Sequence, residues 1–377
     1  MKLFVVFIPL FIIYTTAACQ DTTSNNSKEI IGKVIEAQEL IKTVFYTLER
    51  TDTLITGDTR TMTGRVMIRV DKNDSIFGFE FGAKMEKIHG ESIYGGRVLY
   101  ETNDDEKKYT VVTDPSLVRH ALWQYSGQII LPDLVKLDTS GAIQFESWKD
   151  KKFIYLRMNY ADLTQYDVTK RSKTLTIDTS TMLPVAMRSH QESLGKIQDL
   201  YYHIKEIQVN DPSFHYEFSS PGFLTNYSQQ ILEPGRPLLR LQGQQAPAFT
   251  LSTFDKKEIS LEGLRGKIIL LDFWEVWCGP CIESMPKVQH LYDTYKDKGL
   301  HVFGIINDIK QLGPSKLLVQ KRGFSFPMLT GNEQLKKDYK INAIPLYILI
   351  GKSGKIIFLS AGYSDELETA IREAIPE

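Results

Sequence analysis

The chain has 377 residues, of which 42% are hydrophobic, 24% charged and 11% aromatic. This composition is that of a folded protein large enough for two domains, and it excludes both extensive disorder and a polytopic membrane protein. The 45 basic and 46 acidic side chains nearly cancel, so no positive field is present to attract nucleic acid or an anionic membrane surface. Three cysteines are too few for a disulfide framework, and each needs its own explanation.

The amino terminus has the three regions of a secretory signal. Lys2 precedes the apolar run Leu3–Ile13, and small residues lead up to Cys19. The run is shorter than the roughly 20 residues that cross a bilayer as a helix, so a transmembrane anchor is not expected. A signal that ends in small residues before a cysteine resembles the lipobox of bacterial lipoproteins, although Thr16 stands where that family usually has Leu. The resemblance implies removal of residues 1–18 and lipidation of Cys19, and the alternative is ordinary cleavage nearby with Cys19 left as a free thiol.

The residues that follow the signal carry information about location. Residues 19–27 are polar and are predicted to be a flexible, lipidated tether. In the lipoprotein sorting pattern an Asp directly after the cysteine favours the inner membrane, and this chain has Gln20 there. The expectation is therefore an exported lipoprotein that faces the periplasm, anchored in the outer membrane rather than the inner one.

Residues 28–220 are predicted to form one helix and then a long antiparallel sheet. Apolar residues recur at three- and four-residue spacing between Ile30 and Leu48, which is the pattern of an amphipathic helix. From Val66 onward the period changes to two, as in strands with one buried face. The predicted fold is α+β, with the helix on one side of an open, curved, half-barrel-like antiparallel sheet.

This element order, together with the hairpin pattern Thr174–Met187, resembles the half-barrel of lipoprotein carriers and related outer-membrane lipoprotein-sorting proteins. The resemblance implies an apolar concave face that takes up lipid or acyl chains. The alternative is a structural sheet whose concave face is simply core.

The second domain is predicted at residues 243–377, after a linker at 221–242 that is rich in proline, glycine and glutamine. In it, Lys267–Phe273 has the apolar run of a buried strand, with Asp272 near its end. Cys278-Gly-Pro-Cys281 follows, just ahead of a helical pattern. A cysteine at that place lies where unpaired backbone N–H groups stabilise its thiolate, and a cysteine one turn later can close a disulfide with it and reopen it.

Residues 243–377 resemble the thioredoxin superfamily, and specifically the exported thiol-disulfide oxidoreductases grouped with TlpA and ResA. The likeness is carried by Gly243–Phe249, Leu261–Lys267, Asp272-Phe-Trp274 ahead of the Cys-Gly-Pro-Cys motif, Pro286 and Ala343-Ile-Pro345. The implied fold is α/β, a mixed central sheet with helices on both faces.

The resemblance also implies roles for single residues. Cys278 attacks a substrate disulfide, Cys281 resolves the mixed disulfide, and the buried Asp272 assists deprotonation of Cys281. A substrate peptide is expected to bind beside the reactive sulfur, against Ile344, the cis-proline Pro345, Trp277, Gly279 and Pro280. The redox-active cysteine pair, which cycles between dithiol and disulfide, itself carries the electrons, so no cofactor and no metal are implied.

Other chemistries of the motif are less favoured. A zinc site would need two more ligands, and no tight histidine pair lies near residue 280. A peroxidase needs Thr or Ser three residues before the reactive cysteine, where this chain has Glu275, which is expected to be a solvated surface charge. The chain also departs from its relatives at Ser284, where Glu is common, at Leu346, where Thr is common, and at Asp272, which matches thioredoxin where many relatives have Asn.

The predicted function is reduction of protein disulfides in the cell envelope. The Gly-Pro pair between the cysteines, as in thioredoxin at roughly −270 mV, favours reduction over oxidation. The expected partners are disulfide-bonded exported proteins and a membrane thiol electron donor, without nucleic acid. The alternative from another class is a lipid or lipoprotein carrier with an accessory thioredoxin domain.

Overall fold

The computed structural model describes residues 25–219, 221–231 and 241–375. The described residues divide into two compact units, one that ends at residue 231 and one that begins at residue 241. The predicted signal peptide, Cys19 and most of the predicted tether lie outside the described residues. Within the described ranges, no helix has both the length and the apolar character needed to cross a membrane.

The first unit consists of helix α1 (Asn25–Glu39) and, among its described residues, a twelve-stranded sheet. The strands are β1 Thr43–Thr53, β2 Thr59–Val70, β3 Phe79–Met85, β4 Glu91–Gly95, β5 Val98–Asn103, β6 Lys108–Val112, β7 Ala142–Lys149, β8 Phe153–Tyr160, β9 Val168–Asp178, β10 Pro184–Ser193, β11 Lys196–Val209 and β12 Ser228–Gln229. Their order across the sheet is β12-β6-β5-β4-β3-β2-β1-β11-β10-β9-β8-β7. Two antiparallel meanders therefore meet where β1 pairs with β11. A one-turn helix, α2 (Pro115–Val118), and three short 3-10 helices connect β6 to β7.

Two boundaries differ from those expected from the sequence. The predicted helix was to continue to Leu48, but α1 ends at Glu39 and the chain enters β1 at Thr43. Apolar residues between 41 and 48 fit both a helical and an alternating pattern, and pairing of β1 with strands on both sides decides for the strand. The start of the predicted linker is also part of the first unit, because Ser228–Gln229 pairs in parallel with β6. The half-barrel itself stays a prediction.

A buried ion network lies within this sheet. On β1, the Arg50 Nε atom donates to Asp52 Oδ1 at 2.6 Å, and on β2 the Arg60 Nε atom donates to Asp52 Oδ2 at 2.7 Å. Arg50 is 2% exposed, donates to the Gln128 carbonyl at 2.7 Å and lies 4.9 Å from the ring centroid of Tyr202. Removing the carboxylate of Asp52 therefore leaves a guanidinium buried without its counter-charge.

We expect Asp52→Asn to lower the free energy of unfolding of the first unit by about 3–5 kcal/mol, the usual cost of breaking a buried ion pair. Glu29→Gln is the matched control, because it removes an exposed pair in which Lys33 Nζ lies 2.6 Å from the carboxylate. That control should leave stability nearly unchanged. Urea titrations of the full chain, followed by circular dichroism, measure both. Equal stability of the two variants would contradict the prediction.

The second unit contains a seven-stranded mixed sheet, counted over its described residues, in the order β14-β13-β17-β16-β15-β18-β19. Its strands are β13 Thr250–Thr253, β14 Glu258–Ser260, β15 Ile268–Phe273, β16 Leu300–Ile306, β17 Met328–Thr330, β18 Leu346–Ile350 and β19 Ile356–Ala361, and its helices are α3 Gly279–Tyr295, α4 Leu312–Arg322, α5 Glu333–Asp338 and α6 Asp365–Ala374. Strands β15, β16 and β17 run parallel, and β18 runs antiparallel to β15. The mixed α/β sheet predicted for this part of the chain is thus present.

The position of β15 determines where the reactive motif lies. This strand pairs with β16 on one side and β18 on the other, and all of its residues are buried. The chain leaves β15 at Phe273 and enters α3 at Gly279. A crossover helix between parallel strands begins beside the carboxyl end of the first strand, where ligands and reactive groups commonly lie in open α/β sheets.

Candidate active site

The two cysteines of the motif form a disulfide at the start of α3. Cys278 is the residue that caps this helix, and its Sγ atom accepts a hydrogen bond from the backbone N–H of Cys281 at 3.2 Å. The two Cα atoms are 5.2 Å apart. Cys278 is 3% exposed and Cys281 is 1% exposed. The first turn of a helix has unpaired N–H groups and the positive end of the helix dipole, so a thiolate at Cys278 is stabilised there.

The residues expected to contact a substrate lie at the same end of the sheet. Strand β18 begins at Leu346, which is paired with Phe273 at the end of β15. The peptide bond between Ile344 and Pro345, just before β18, is cis. The loop before β18 is therefore adjacent to the point from which the cysteine loop departs. Trp277, in the loop before Cys278, is half-buried, and of the first two residues of α3 Gly279 is buried and Pro280 is exposed.

No hydrogen bond among the described residues offsets the burial of the Asp272 carboxyl. It is 1% exposed, and both of its carboxylate oxygens lack a hydrogen-bond partner among the described residues. Burial raises the pKa of the Asp272 carboxyl to about 8, because a charged carboxylate is poorly stabilised away from water. The group is therefore largely protonated at neutral pH and can exchange its proton within the range where thiols titrate.

Ser284 connects the first turn of α3 to β18. Its hydroxyl lies 2.9 Å from the carbonyl oxygens of both Pro280 and Cys281, and it accepts a hydrogen bond of 2.6 Å from the Tyr347 hydroxyl. Tyr347 is paired with Asp272 across the two strands, and burial is the main cause that raises the pKa of its phenol. An uncharged hydrogen-bonded pair thus joins the helix to the strand. The sequence alone did not identify Tyr347, because its position depends on the register of β18 against β15.

Glu275 is not the solvated surface charge that we expected from the sequence. It is 5% exposed, and its Oε1 atom accepts hydrogen bonds from the backbone N–H groups of Asn307 at 2.8 Å and Asp308 at 3.2 Å. Burial raises the pKa of the Glu275 carboxyl to about 7. A charged residue between two tryptophans in a loop has no periodicity that shows whether it points inward, so this burial could not be predicted from the sequence.

The second unit, which carries this site, resembles known proteins. The family model Redoxin matches residues 241–375. The thiol-disulfide oxidoreductase ResA of Bacillus thuringiensis (strain Al Hakam) is 30% identical over 137 residues, which cover 36% of this chain and 79% of that protein. The chain belongs to the ResA-type thiol-disulfide oxidoreductases. ResA of Bacillus subtilis (strain 168) is likewise 30% identical over 130 residues, covering 33% of this chain and 70% of that protein. A solution structure of a thiol:disulfide interchange protein from Bacteroides sp. has 26% identity and a TM-score of 0.33, covering 36% of this chain and 90% of its own.

Membership in the ResA-type thiol-disulfide oxidoreductases fixes the class of chemistry. Such an enzyme acts through its own cysteines and needs no external cofactor. The described residues contain no group of three or more His, Cys, Asp or Glu side chains that could hold a metal ion. The family model is confined to the second unit, so the first unit takes no function from it.

We expect Asp272→Asn to stabilise the second unit, by an amount that grows with pH. The ordinary pKa of 3.8 is raised to about 8, so the native state keeps a proton that the unfolded chain releases. Stability is therefore full below pH 3.8 and is lost as the pH rises toward about 8. Asparagine cannot ionise, so the gain should be near zero at pH 4 and on the order of a few kcal/mol at pH 8.

Urea titrations of the full chain at several pH values, followed by tryptophan fluorescence, measure this gain. Asp297→Asn, at an exposed aspartate in the same unit, is the matched control and should show no pH-dependent gain. A gain for Asp272→Asn that is the same at pH 4 and pH 8 would show that the native carboxyl is not desolvated.

Proposed function

We propose that the second unit reduces protein disulfides in the cell envelope through the dithiol of Cys278 and Cys281. The observation that supports this most directly is the Cys278 sulfur at the cap of α3, bonded to a second cysteine one turn later. The Cys278 thiolate attacks one sulfur of a substrate disulfide, which breaks that bond and releases one substrate thiolate. Cys281 then attacks the Cys278 sulfur, the second substrate thiolate leaves, and the enzyme disulfide forms. Two electrons pass to the substrate in each cycle.

In this proposal Asp272 accepts the proton of the Cys281 thiol. Its pKa of about 8 is close to the roughly 8.5 of an ordinary thiol, so the transfer costs little in either direction. At neutral pH it is the ionised minority of Asp272 carboxyls that takes the proton, and no described residue donates a hydrogen bond that would compete for those oxygens. An ionised carboxyl of ordinary pKa would be too weak a base for this step.

The substrate and the electron donor follow from the chemistry. An extended peptide is proposed to bind against Ile344, Pro345, Trp277, Gly279 and Pro280, with its disulfide beside Cys278. Because each cycle oxidises the enzyme pair, a thiol donor must reduce it again, and in the envelope that donor is proposed to be a membrane protein. The Gly-Pro pair favours the reducing direction.

Export and anchoring complete the proposal. The signal-like segment and the small residues before Cys19 support removal of residues 1–18 and lipidation of Cys19. Gln20 after the cysteine supports the outer membrane, with the protein facing the periplasm.

The carrier alternative has weaker support. Apolar side chains of the first sheet such as Leu156, Met158 and Leu175 are fully buried as core. Two pockets in the described part of this unit are lined by polar and charged side chains. Neither pocket has the apolar lining that would hold an acyl chain.

We predict that Cys281→Ser will trap the enzyme on its substrates, because only Cys281 resolves the mixed disulfide efficiently. In a bacterial host that exports the chain, this variant should accumulate as higher-mass adducts that dithiothreitol removes. Mass spectrometry should identify the partners as exported proteins with paired cysteines. The double variant Cys278→Ser, Cys281→Ser is the control and should form none. Adducts that persist without Cys278 would overturn the assignment of the attacking sulfur.

The anchor has a separate test in the same host. Radiolabelled palmitate should be incorporated into the full chain, and Cys19→Ser should abolish both labelling and membrane association. Cys278→Ser is the control and should keep the label, since its thiol is predicted to serve redox chemistry alone. Unchanged labelling in Cys19→Ser would disprove lipidation at that residue.

A further inference from the structure

The buried acid Glu275 has no role in the mechanism above, although it is directly connected to Cys278. The carbonyl oxygen of Glu275 accepts a hydrogen bond from the backbone N–H of Cys278 at 2.9 Å, so the two residues close one tight turn. Its side chain binds the N–H groups of Asn307 and Asp308, at the end of β16. The turn that carries the reactive sulfur is thereby joined to the neighbouring parallel strand through a single carboxyl group.

Buried acceptor atoms of Glu275 and of the segment after β16 lack hydrogen-bond donors among the described residues. Glu275 Oε2, Asn307 Oδ1 and Gln311 Oε1 are all buried without a hydrogen-bond partner among the described residues. All three belong either to Glu275 itself or to the segment that follows β16. A proton on Glu275 Oε2 would convert one of these acceptors into a donor. The ionised carboxylate instead holds a negative charge in a buried place, where the two backbone N–H groups bonded to it stabilise that charge.

The charged groups that act on Glu275 are few. Asp308, in the loop that the carboxylate binds, raises the pKa of Glu275, and Lys336 on α5 lowers it. The two backbone hydrogen bonds also lower the pKa, but burial is the largest effect, and the pKa lies at about 7. The carboxyl group therefore changes charge in the pH range in which the enzyme is proposed to work.

We propose that Glu275 is a positioning residue whose protonation state sets the reactivity of Cys278. When Glu275 is ionised, its negative charge disfavours a thiolate at Cys278 on the adjacent turn. When Glu275 is protonated, this repulsion is absent. By the same coupling, formation of the Cys278 thiolate favours proton uptake by Glu275. This inference rests on the proposed function, in which Cys278 is the attacking sulfur.

Glu275→Gln separates charge from geometry, because the amide oxygen can still accept both backbone hydrogen bonds but the side chain cannot ionise. The fully reduced full chain is treated with iodoacetamide between pH 5 and pH 8.5, and mass spectrometry measures alkylation of each cysteine. We expect equal rates at Cys278 in variant and wild type at pH 5, where both side chains are neutral. Above pH 7 the variant should react about threefold to tenfold faster, the size expected for one nearby buried charge. Glu258→Gln, at an exposed residue of the edge strand β14, should match the wild type throughout.

Other results of these experiments would overturn the proposal or call for a second test. A variant profile that follows the wild type at every pH, or differs by the same factor at every pH, would overturn the proposal and leave Glu275 a structural role. If Cys281 reacts before Cys278 in the wild type, the proposed function fails, and this inference fails with it in a recognisably different way. If Glu275→Gln does not fold, difference infrared spectra of reduced and oxidised Asp272→Asn provide the test. A carboxyl band that changes on reduction near pH 7 supports the proposal, and its absence overturns it.

Discussion

Desolvation of the Asp272 carboxyl is the constraint on which the active site depends. Strand β15 is buried at every position between β16 and β18, so an acid on it has neither water nor a donor to stabilise its charge. Asp272 is paired with Gly304 on β16 and with Tyr347 on β18. Neither of these residues carries a charge at neutral pH. The fold thus holds a weak acid whose affinity for a proton is close to that of a thiol, at the end of the strand that leads to the disulfide. Burial of this carboxyl lowers the stability of the native state, as is common at functional sites, where a residue is kept for its chemistry and not for folding.

The neighbouring hydrogen bonds are consistent with keeping that group uncharged. Tyr347 donates to the Ser284 hydroxyl, and that hydroxyl bonds to carbonyl oxygens of the first turn of α3, so the pair fixes the helix to the sheet without adding a charge. A glutamate at residue 284 would place a second ionisable group beside Cys281. Among the described residues of the second unit, the other buried acid is Glu275, whose backbone carbonyl accepts a hydrogen bond from the N–H of Cys278. We infer that the two sulfurs are served by different carboxyl groups, one for each end of the exchange.

The sequence predicted those features that depend on local pattern. A buried strand, a Cys-Gly-Pro-Cys motif and a helix appear in that order, and the disulfide and the cis bond before Pro345 are where the motifs placed them. What it missed depends on contacts distant along the chain. Tyr347 reaches Ser284 through strand register, Glu275 is buried by the loop after β16, and β1 replaces the second half of the expected helix because two strands pair with it. The buried network of Arg50 and Asp52 was likewise hidden, since alternating polar residues on a strand usually mark a solvated face.

The central claim, that Cys278 and Cys281 together reduce protein disulfides, is tested most directly by the turbidity assay of insulin reduction. Purified full-length protein, with dithiothreitol as the electron source, should accelerate precipitation of the insulin B chain well above the rate with dithiothreitol alone. Cys278→Ser should return the rate to that background, because no sulfur remains to attack the substrate. Wild-type protein that gives only the background rate, or Cys278→Ser protein that keeps the full rate, would contradict the account.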